Sequence, residues 1–313
     1  MSQVGISKAI DIQLSSILLA TDFSAASEGA LHHAIAIARH FNARLYLVHI
    51  VSSLGLTMAG PEAISTSTSL AQRDAASIER KLILNGTLRE LHHQVIVRAG
   101  DIWEELEHIL RHEHIDLAVI GTHSRTGVMK LVLGSVAEQI FRHAFCPVLT
   151  VGPHSPLEAE LPPRKELRPL LFPTDFSDAS LAALPYAITF ANQIKTQLVL
   201  VHLLSHVPPT EGTRWYTADD VMCMRKEAQV AAAQQLEQLT VNAGLGMKPL
   251  CIAKVADAAE GILLAARALH VSCIIMGLHR KKHIDLASHL PWSTAHEVVC
   301  GADCPVLTVR SSQ

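Results

Sequence analysis

The chain has 313 residues, a length that suggests about two domains. Its 49% hydrophobic and 4% aromatic content excludes a disordered chain and points to aliphatic cores. A formal net charge of −3 argues against a broadly basic, nucleic-acid-binding surface.

No apolar run approaches the roughly 18 residues that span a bilayer, so no membrane association is expected. The opening "MSQVGISKAIDIQLSS" lacks a basic start followed by an apolar block, so no secretory leader is expected either. The six cysteines are scattered without a CxxC, which fits a reduced, cytoplasmic chain.

In chain order, short aliphatic runs alternate with helical patterns. The first half reads as strands over 16–21, 44–50, 94–98, 116–120 and 147–151. Helices are expected over 24–40, 68–91, 101–113 and 135–144. A Pro-rich, charged stretch, "GPHSPLEAELPPRKELRP", then marks a linker. The second half reads as strands over 168–173, 197–203, 248–253, 272–276 and 305–309. Its helices are expected over 177–193, 218–242, 257–269 and 293–301.

The second half repeats the first. "ILLATDFSAASEGAL" returns as "PLLFPTDFSDASLAAL", "LYLVHIV" as "LVLVHLL", "LAVIGTH" as "CIIMGLH", and "CPVLTV" occurs twice in the same order. The offset is 153 residues from Thr21 to Thr174, 156 from Gly121 to Gly277 and 158 from Cys146 to Cys304. That is a duplicated domain. The domains are 1–152 and 169–313, joined by a linker over 153–168. Aliphatic strands separated by helices predict an α/β fold with two doubly wound parallel sheets.

Such sheets bind ligands beyond the carboxyl ends of their strands, at the topological switch point. Asp22 follows the first strand and Gly121 follows the fourth. If those strands are neighbours, both face one crevice, where the carboxylate can accept from an adenine amino group or a ribose hydroxyl. Glycines allow a backbone to approach phosphate, and a helix N-terminus supplies N–H donors without a lysine. Gly134 and Ser135 stand where that helix should begin, and Ser135 can offer its hydroxyl. Structural roles stand beside these. Asp22 and Ser24 can cap the first helix. Ser135 with Glu138, like Thr294 with Glu297, spells a capping box.

The remaining patterns carry less chemistry. His108 and His112, His279 and His283, and His296, Cys300 and Cys304 recur at four-residue spacing, but none has the ligand spacing of a zinc site, so no metal is expected. "RKKH", Arg280 to His283, reads as a solvated loop or a charged phosphate contact. The chain has no G-x4-GK[ST], G-x-S-x-G, H-E-x-x-H or GxGxxG motif, and no catalytic residue can be assigned.

These residues resemble the universal stress protein family, and the duplication resembles its tandem members, over nearly the whole chain. ATP-binding members carry a G-x2-G-x9-G-[S/T] loop. Here Gly121, Ser124 and Gly134-Ser135 keep that spacing, with Ser124 in place of the middle glycine and Gly127 three residues on. The resemblance implies two five-stranded sheets of order 3-2-1-4-5, in an adenine-nucleotide alpha-hydrolase-like fold. It implies ATP, with Mg2+, in the first domain. Asp22 would contact adenosine and Ile50 would flank the base. Ile120 and Gly121 would line the crevice, and Thr122, His123, Ser124 and Arg125 would border the phosphates. Gly134, Ser135 and Val136 would complete the cradle.

The second half keeps Asp175 and Gly277 but has Arg280, Pro291 and Trp292 where the loop should be, so it is expected not to bind. Family members commonly pair through their final strands. An intramolecular pseudo-dimer through Val148–Val151 and Val306–Val309 would follow, and the same edges contacting between chains would give a homo-oligomer. The implied role is an ATP-binding stress-response module whose nucleotide state tunes conformation or binding of an unidentified protein partner. The alternatives are a nucleotide-free interaction scaffold and a weak ATPase.

Overall fold

The computed structural model describes residues 12–24, 27–53, 60–122, 133–153, 155, 168–204, 218–241, 243–278 and 294–310. Two units emerge, one on Gln13–Pro162 and the other on Pro163–Ala302 with Val306–Gln313.

The first unit runs β1 (Ser16–Ala20), α1 (Glu28–Phe41), β2 (Arg44–Ser52), α2 (Pro61–Leu84), β3 (His93–Gly100), α3 (Ile102–His112), β4 (Leu117–Gly121), α4 (Ser135–His143) and β5 (Val148–Val151). Its strands pair in parallel in the order β3-β2-β1-β4-β5. The second unit runs β6 (Leu170–Pro173), α5 (Asp178–Leu181), α6 (Leu184–Gln193), β7 (Leu198–Leu204), α7 (Ala218–Thr240), β8 (Leu250–Val255), α8 (Ala258–Ala268), β9 (Cys273–Leu278), α9 (Thr294–Gly301) and β10 (Val306–Arg310). Its parallel order is β8-β7-β6-β9-β10, the same arrangement renumbered.

Burial explains the aliphatic runs. Ile17, Leu18 and Leu19 are consecutive and all 0% exposed. Neighbouring strand residues point to opposite faces, so both faces of the sheet are covered. The covering helices follow suit. α1 buries Ala30, Ala34 and Ala38 with Ile35 on one stripe, and the three alanines let the helix lie close to the sheet. It ends where Asn42 turns left-handed, with φ 53°. α3 and α8 start on matching caps. Asp101 accepts from Trp103 and Glu104 N–H, and Asp257 accepts from Ala259 and Glu260 N–H.

Two helices depart from the sequence reading. α2 begins and ends seven residues before the expected 68–91. Pro61 suits the first helical turn, where no N–H partner is needed, and Gly86, with φ +81°, follows the end. The expected helix over 177–193 is two helices, broken at Ala182–Ala183. Pro185 lies in the first turn of α6, a position it tolerates, and has no N–H to continue a helix from α5.

The cysteines differ sharply in setting. Cys146 is buried before β5, and burial pushes its thiol up to about 12. Cys223 is exposed on α7, and its hydrogen bond to Glu227 raises it as well. Alkylation of the native protein at neutral pH should therefore label Cys223 and spare Cys146, as read by peptide mass spectrometry. Equal labelling of the two would contradict the packing around β5.

Candidate functional site

Strand β1 pairs with β2 on one side and β4 on the other, so the strand order reverses between β1 and β4. Ala20 stands opposite Ile120, which sends Thr21–Asp22 off the sheet beside Gly121–Thr122. Ala20 also stands opposite Val48, so Ile50, two residues on, is level with Asp22. Thus the chain brings Asp22, Ile50, Ile120, Gly121 and Thr122 to one carboxyl edge. Asp22 is exposed, Ile50 and Gly121 are half-buried, and Ile120 is buried within β4. Thr122 is tied down, its N–H donating to the Val151 carbonyl at 2.9 Å.

The other expected site residues divide in two groups. His123, Ser124 and Arg125 lie outside the described residues, as do Arg280, Pro291 and Trp292 of the second half. Gly134 is the N-cap of α4, Ser135 its first residue and Val136 its second. Because α4 leads from the end of β4 back to the start of β5, its N-terminus belongs at the carboxyl edge. The φ of Gly134 is −61° and its ψ 154°, values open to any residue. Glycine's contribution here is the absence of a side chain.

The capping readings need correction. With Gly134 at the N-cap, Ser135 and Glu138 fall one residue out of register for a capping box. The Glu138 carboxylate instead pairs with Arg142 one turn on. α9 likewise begins at Thr294 itself, with Glu297 fourth. Nor do Asp22 and Ser24 cap α1. Its N-cap is Ser27, with no side-chain capping bond. Asp22 Oδ1 accepts the Ser24 N–H at 3.0 Å, closing a local turn.

That turn belongs to a knot which the sequence reading missed. Thr21 Oγ1 accepts the Phe23 N–H at 2.9 Å and lies 2.9 Å from Ser27 Oγ. His49 Nδ1 lies 2.9 Å from the Thr21 carbonyl. A carbonyl only accepts, so Nδ1 carries the hydrogen. Phe23 sits at φ 55°, unusual for a bulky residue, with its ring 5.8 Å from the His49 ring. The second half rebuilds every part. Thr174 Oγ1 lies 2.8 Å from Ser180 Oγ and accepts the Phe176 N–H at 3.0 Å. His202 Nδ1 donates to the Thr174 carbonyl at 2.8 Å, and Phe176 sits at φ 63°. The available signal was the constant offset: Thr21, Ser27 and His49 all recur 153 residues later.

Gly277, the counterpart of Gly121, has a structural reason to be glycine. A Cβ there would lie 1.9 Å from the Ala179 carbonyl oxygen and 2.6 Å from Ser180 Cα, both backbone atoms of α5. Backbone cannot step aside as a side-chain end can. Gly277→Ala should destabilise the second unit by roughly 3 kcal/mol. Hydrogen exchange should show faster opening of α5 and β9 with β1 to β5 unchanged, and unaltered exchange would reject the contact.

Asp175 gives the turn of the second half a pH signature. Burial alone pushes its carboxyl up. Hydrogen bonds from the Ser177 hydroxyl and N–H and from Ser180 outweigh that and hold it below the ordinary aspartate value. A carboxylate depressed in the folded state stabilises fully above its unfolded value and loses that contribution as pH falls below about 4. The stability gap between wild type and Asp175→Asn should accordingly be widest at pH 7 and shrink toward pH 3. A gap independent of pH would argue against it.

No cluster of three or more His, Cys, Asp or Glu side chains placed to hold a metal occurs among the described residues. His108 and His112 simply stack, with rings 5.7 Å apart. No described helix is long and apolar enough to cross a membrane.

Comparison with known proteins agrees with this architecture. The sequence profile of the universal stress protein family matches residues 14–152 and again 166–310. A universal stress protein of Methanocaldococcus jannaschii is 34% identical over 141 residues, covering 43% of this chain and 80% of its own. A putative universal stress protein of Staphylococcus aureus is 30% identical over 152 residues, covering 45% and 85%. Among solved structures, a universal stress protein of Archaeoglobus fulgidus aligns with a TM-score of 0.69 at 17% identity, over 95% of this chain and 97% of its own. A Pseudomonas aeruginosa protein of unknown function aligns at 0.63 and 15%, over 95% and 92%. Two matches of the profile in one chain, each coinciding with a five-stranded sheet of the same order, establish that the chain belongs to the universal stress protein family as a tandem member.

Proposed function

We propose that the first half binds ATP, with Mg2+, and that nucleotide occupancy sets the conformation in which the chain meets a protein partner. The observation that carries this reading is the convergence of Asp22, Ile50, Ile120, Gly121 and Thr122 at the β1/β4 switch point. In this reading Asp22 accepts from the nucleoside and Ile50 and Ile120 flank it. Thr122, His123, Ser124 and Arg125 border the phosphates. Gly134, Ser135 and Val136 present the α4 N-terminus, whose unpaired N–H groups and dipole favour an anion. Mg2+ would neutralise phosphate charge. No side chain is assigned as a general base, so the chemistry proposed is binding. A ligand that favours one state shifts the population toward it, which is all that a nucleotide-tuned partner requires. None of the six cysteines is in a disulfide, which supports a reducing, cytoplasmic setting.

The second half is proposed not to bind. Its loop sequence replaces small residues with Arg280, Pro291 and Trp292, and Pro291 has no N–H to donate.

Gly134→Val tests the cradle. Valine fits the extended backbone at that position, so the fold should persist with a loss of about 1 kcal/mol or less. Its side chain would stand where phosphate approaches. Calorimetry should show one ATP site in the intact chain and at least a tenfold loss in the variant, with circular dichroism unchanged. Undiminished binding would remove the cradle from the proposal. Failure of the wild type to bind ATP would leave the nucleotide-free scaffold.

A further inference from the structure

Helix α7 carries a face that its own sheet does not use. Its C-terminal half is held to the second unit, where Ala232 and Leu236 are buried and the Gln229 amide donates to the Ala253 carbonyl of β8 at 3.5 Å. Its N-terminal half stands clear. From Asp219 to Ala228 every residue but Val221 is exposed, Met222 by 66%. Asp219, Met222, Cys223, Lys226 and Val230 follow the i, i+3, i+4, i+7, i+11 spacing of a single helix face. That stripe lies roughly 100° round the axis from Ala232 and Leu236. Its centre is soft, since a free thiol behaves as a small apolar group and methionine adapts its shape to a partner. α2, at the same place in the first half, has a run of serines and threonines over 65–69 instead. The stripe is therefore no part of the duplicated plan.

The order of charges along the stripe says what covers it. Asp219 stands at one end and Lys226 two turns on, with Met222 and Cys223 between them. Among the described residues neither charge has a salt bridge. Two copies of the stripe, laid antiparallel about a twofold axis between Met222 and Cys223, bring Asp219 of each level with Lys226 of the other. Met222 then meets its own equivalent on one flank of the seam, and Cys223 meets its own on the other. The two Cys223 are offset by about 1.5 Å along helices roughly 8–10 Å apart. A parallel pairing would set Asp219 against Asp219 and Lys226 against Lys226, and like charges repel. Asp220, Arg225 and Glu227 point roughly 90° or more away from the seam.

We propose that the N-terminal half of α7 is a self-association surface whose partner is a second copy of this chain, held in an antiparallel, twofold α7–α7 contact. The stretch from Asp219 to Val230 is about 18 Å long, too short to bury the roughly 1,200 Å² of a stable interface. The contact is therefore weak and reversible, forms at high chain concentration and is loosened by salt. It uses neither final strand, so it is separate from the pairing that the family resemblance implies.

The test is cross-linking of the full chain by a short bis-maleimide over a range of concentrations, with sedimentation equilibrium alongside. Wild type should give a covalent dimer joined from Cys223 to Cys223, as identified by peptide mass spectrometry. Its yield should rise with concentration and vanish in Cys223→Ser. Asp219→Lys and Lys226→Asp each turn both ion pairs into repulsions, so either variant alone should associate about tenfold more weakly. Both positions are exposed, so circular dichroism should not change. An equimolar mixture of the two variants rebuilds both pairs in the mixed dimer and should recover the wild-type yield. A wild type that stays monomeric at every concentration would overturn the proposal and leave the stripe to a different protein. So would a dimer linked through another cysteine or not linked at all. A Cys223 link that ignores both charge reversals, or a mixture no more associated than its components, would overturn the antiparallel seam.

Discussion

A strand covered on both faces has no room for polar chemistry along its length. β1 from Ile17 on and β6 throughout are such stretches, carrying no polar side chain until a hydroxyl and a carboxylate follow at the carboxyl end. The placing of the candidate site follows from that exclusion. Thr21 and Asp22 appear where β1 stops, Gly121 and Thr122 where β4 stops, and the parallel pairing of the two strands brings the four together. The helices matter to the site mainly by sealing the sheet and by returning the chain so that each new strand ends on the same edge.

Duplication then ran one plan twice under different demands. The hydrogen bonds of the knot agree to a tenth of an ångström between the halves, while the Phe and His rings lie 5.8 Å apart in the first and 4.6 Å in the second. What changed lies around it. Ser177 became a helix cap and drew Asp175 into an internal bond, while Ser24 stayed out of any cap. The α4 pair of Glu138 and Arg142 has, at the corresponding turn of α9, a buried His296 beside Cys300. The scaffolding is common to both halves and its attachments are not.

Much of this was legible in the residues. Strands made of consecutive aliphatic residues announce themselves, and so does a repeat carrying "TDFS", "VH" and "CPV" at near-constant offsets. Helix ends were less legible because hydrophobic periodicity outvoted punctuation. Pro61, Gly86 and Pro185 were the better guides to α2 and to the break between α5 and α6. The S-x-x-E and T-x-x-E patterns misled because a capping box depends on which residue is the cap, and α4 begins one residue too early for it. That Asp22 and Gly121 share one edge could be read from the sequence once β1 and β4 were taken as neighbours, as they are. The capping role of Ser177 could not, since Ser24 shares its "TDFS" and the next residue alone differs before the following serine, Ala25 against Asp178. It depends on where the following helix nucleates.

The knot has a consequence for the sheet that has nothing to do with a ligand. Alternating strands resist sliding, because a slip by one residue turns oily side chains outward. Strands that are oily on both faces lose that safeguard, and a shifted pairing would bury nearly as much. The bond from the β2 histidine to the carbonyl of the threonine after β1 spans 28 residues in each half. It can form at only one alignment of the two strands. It acts as an index pin, fixing which rung of β1 meets which rung of β2 in a ladder whose greasy rungs are otherwise nearly interchangeable.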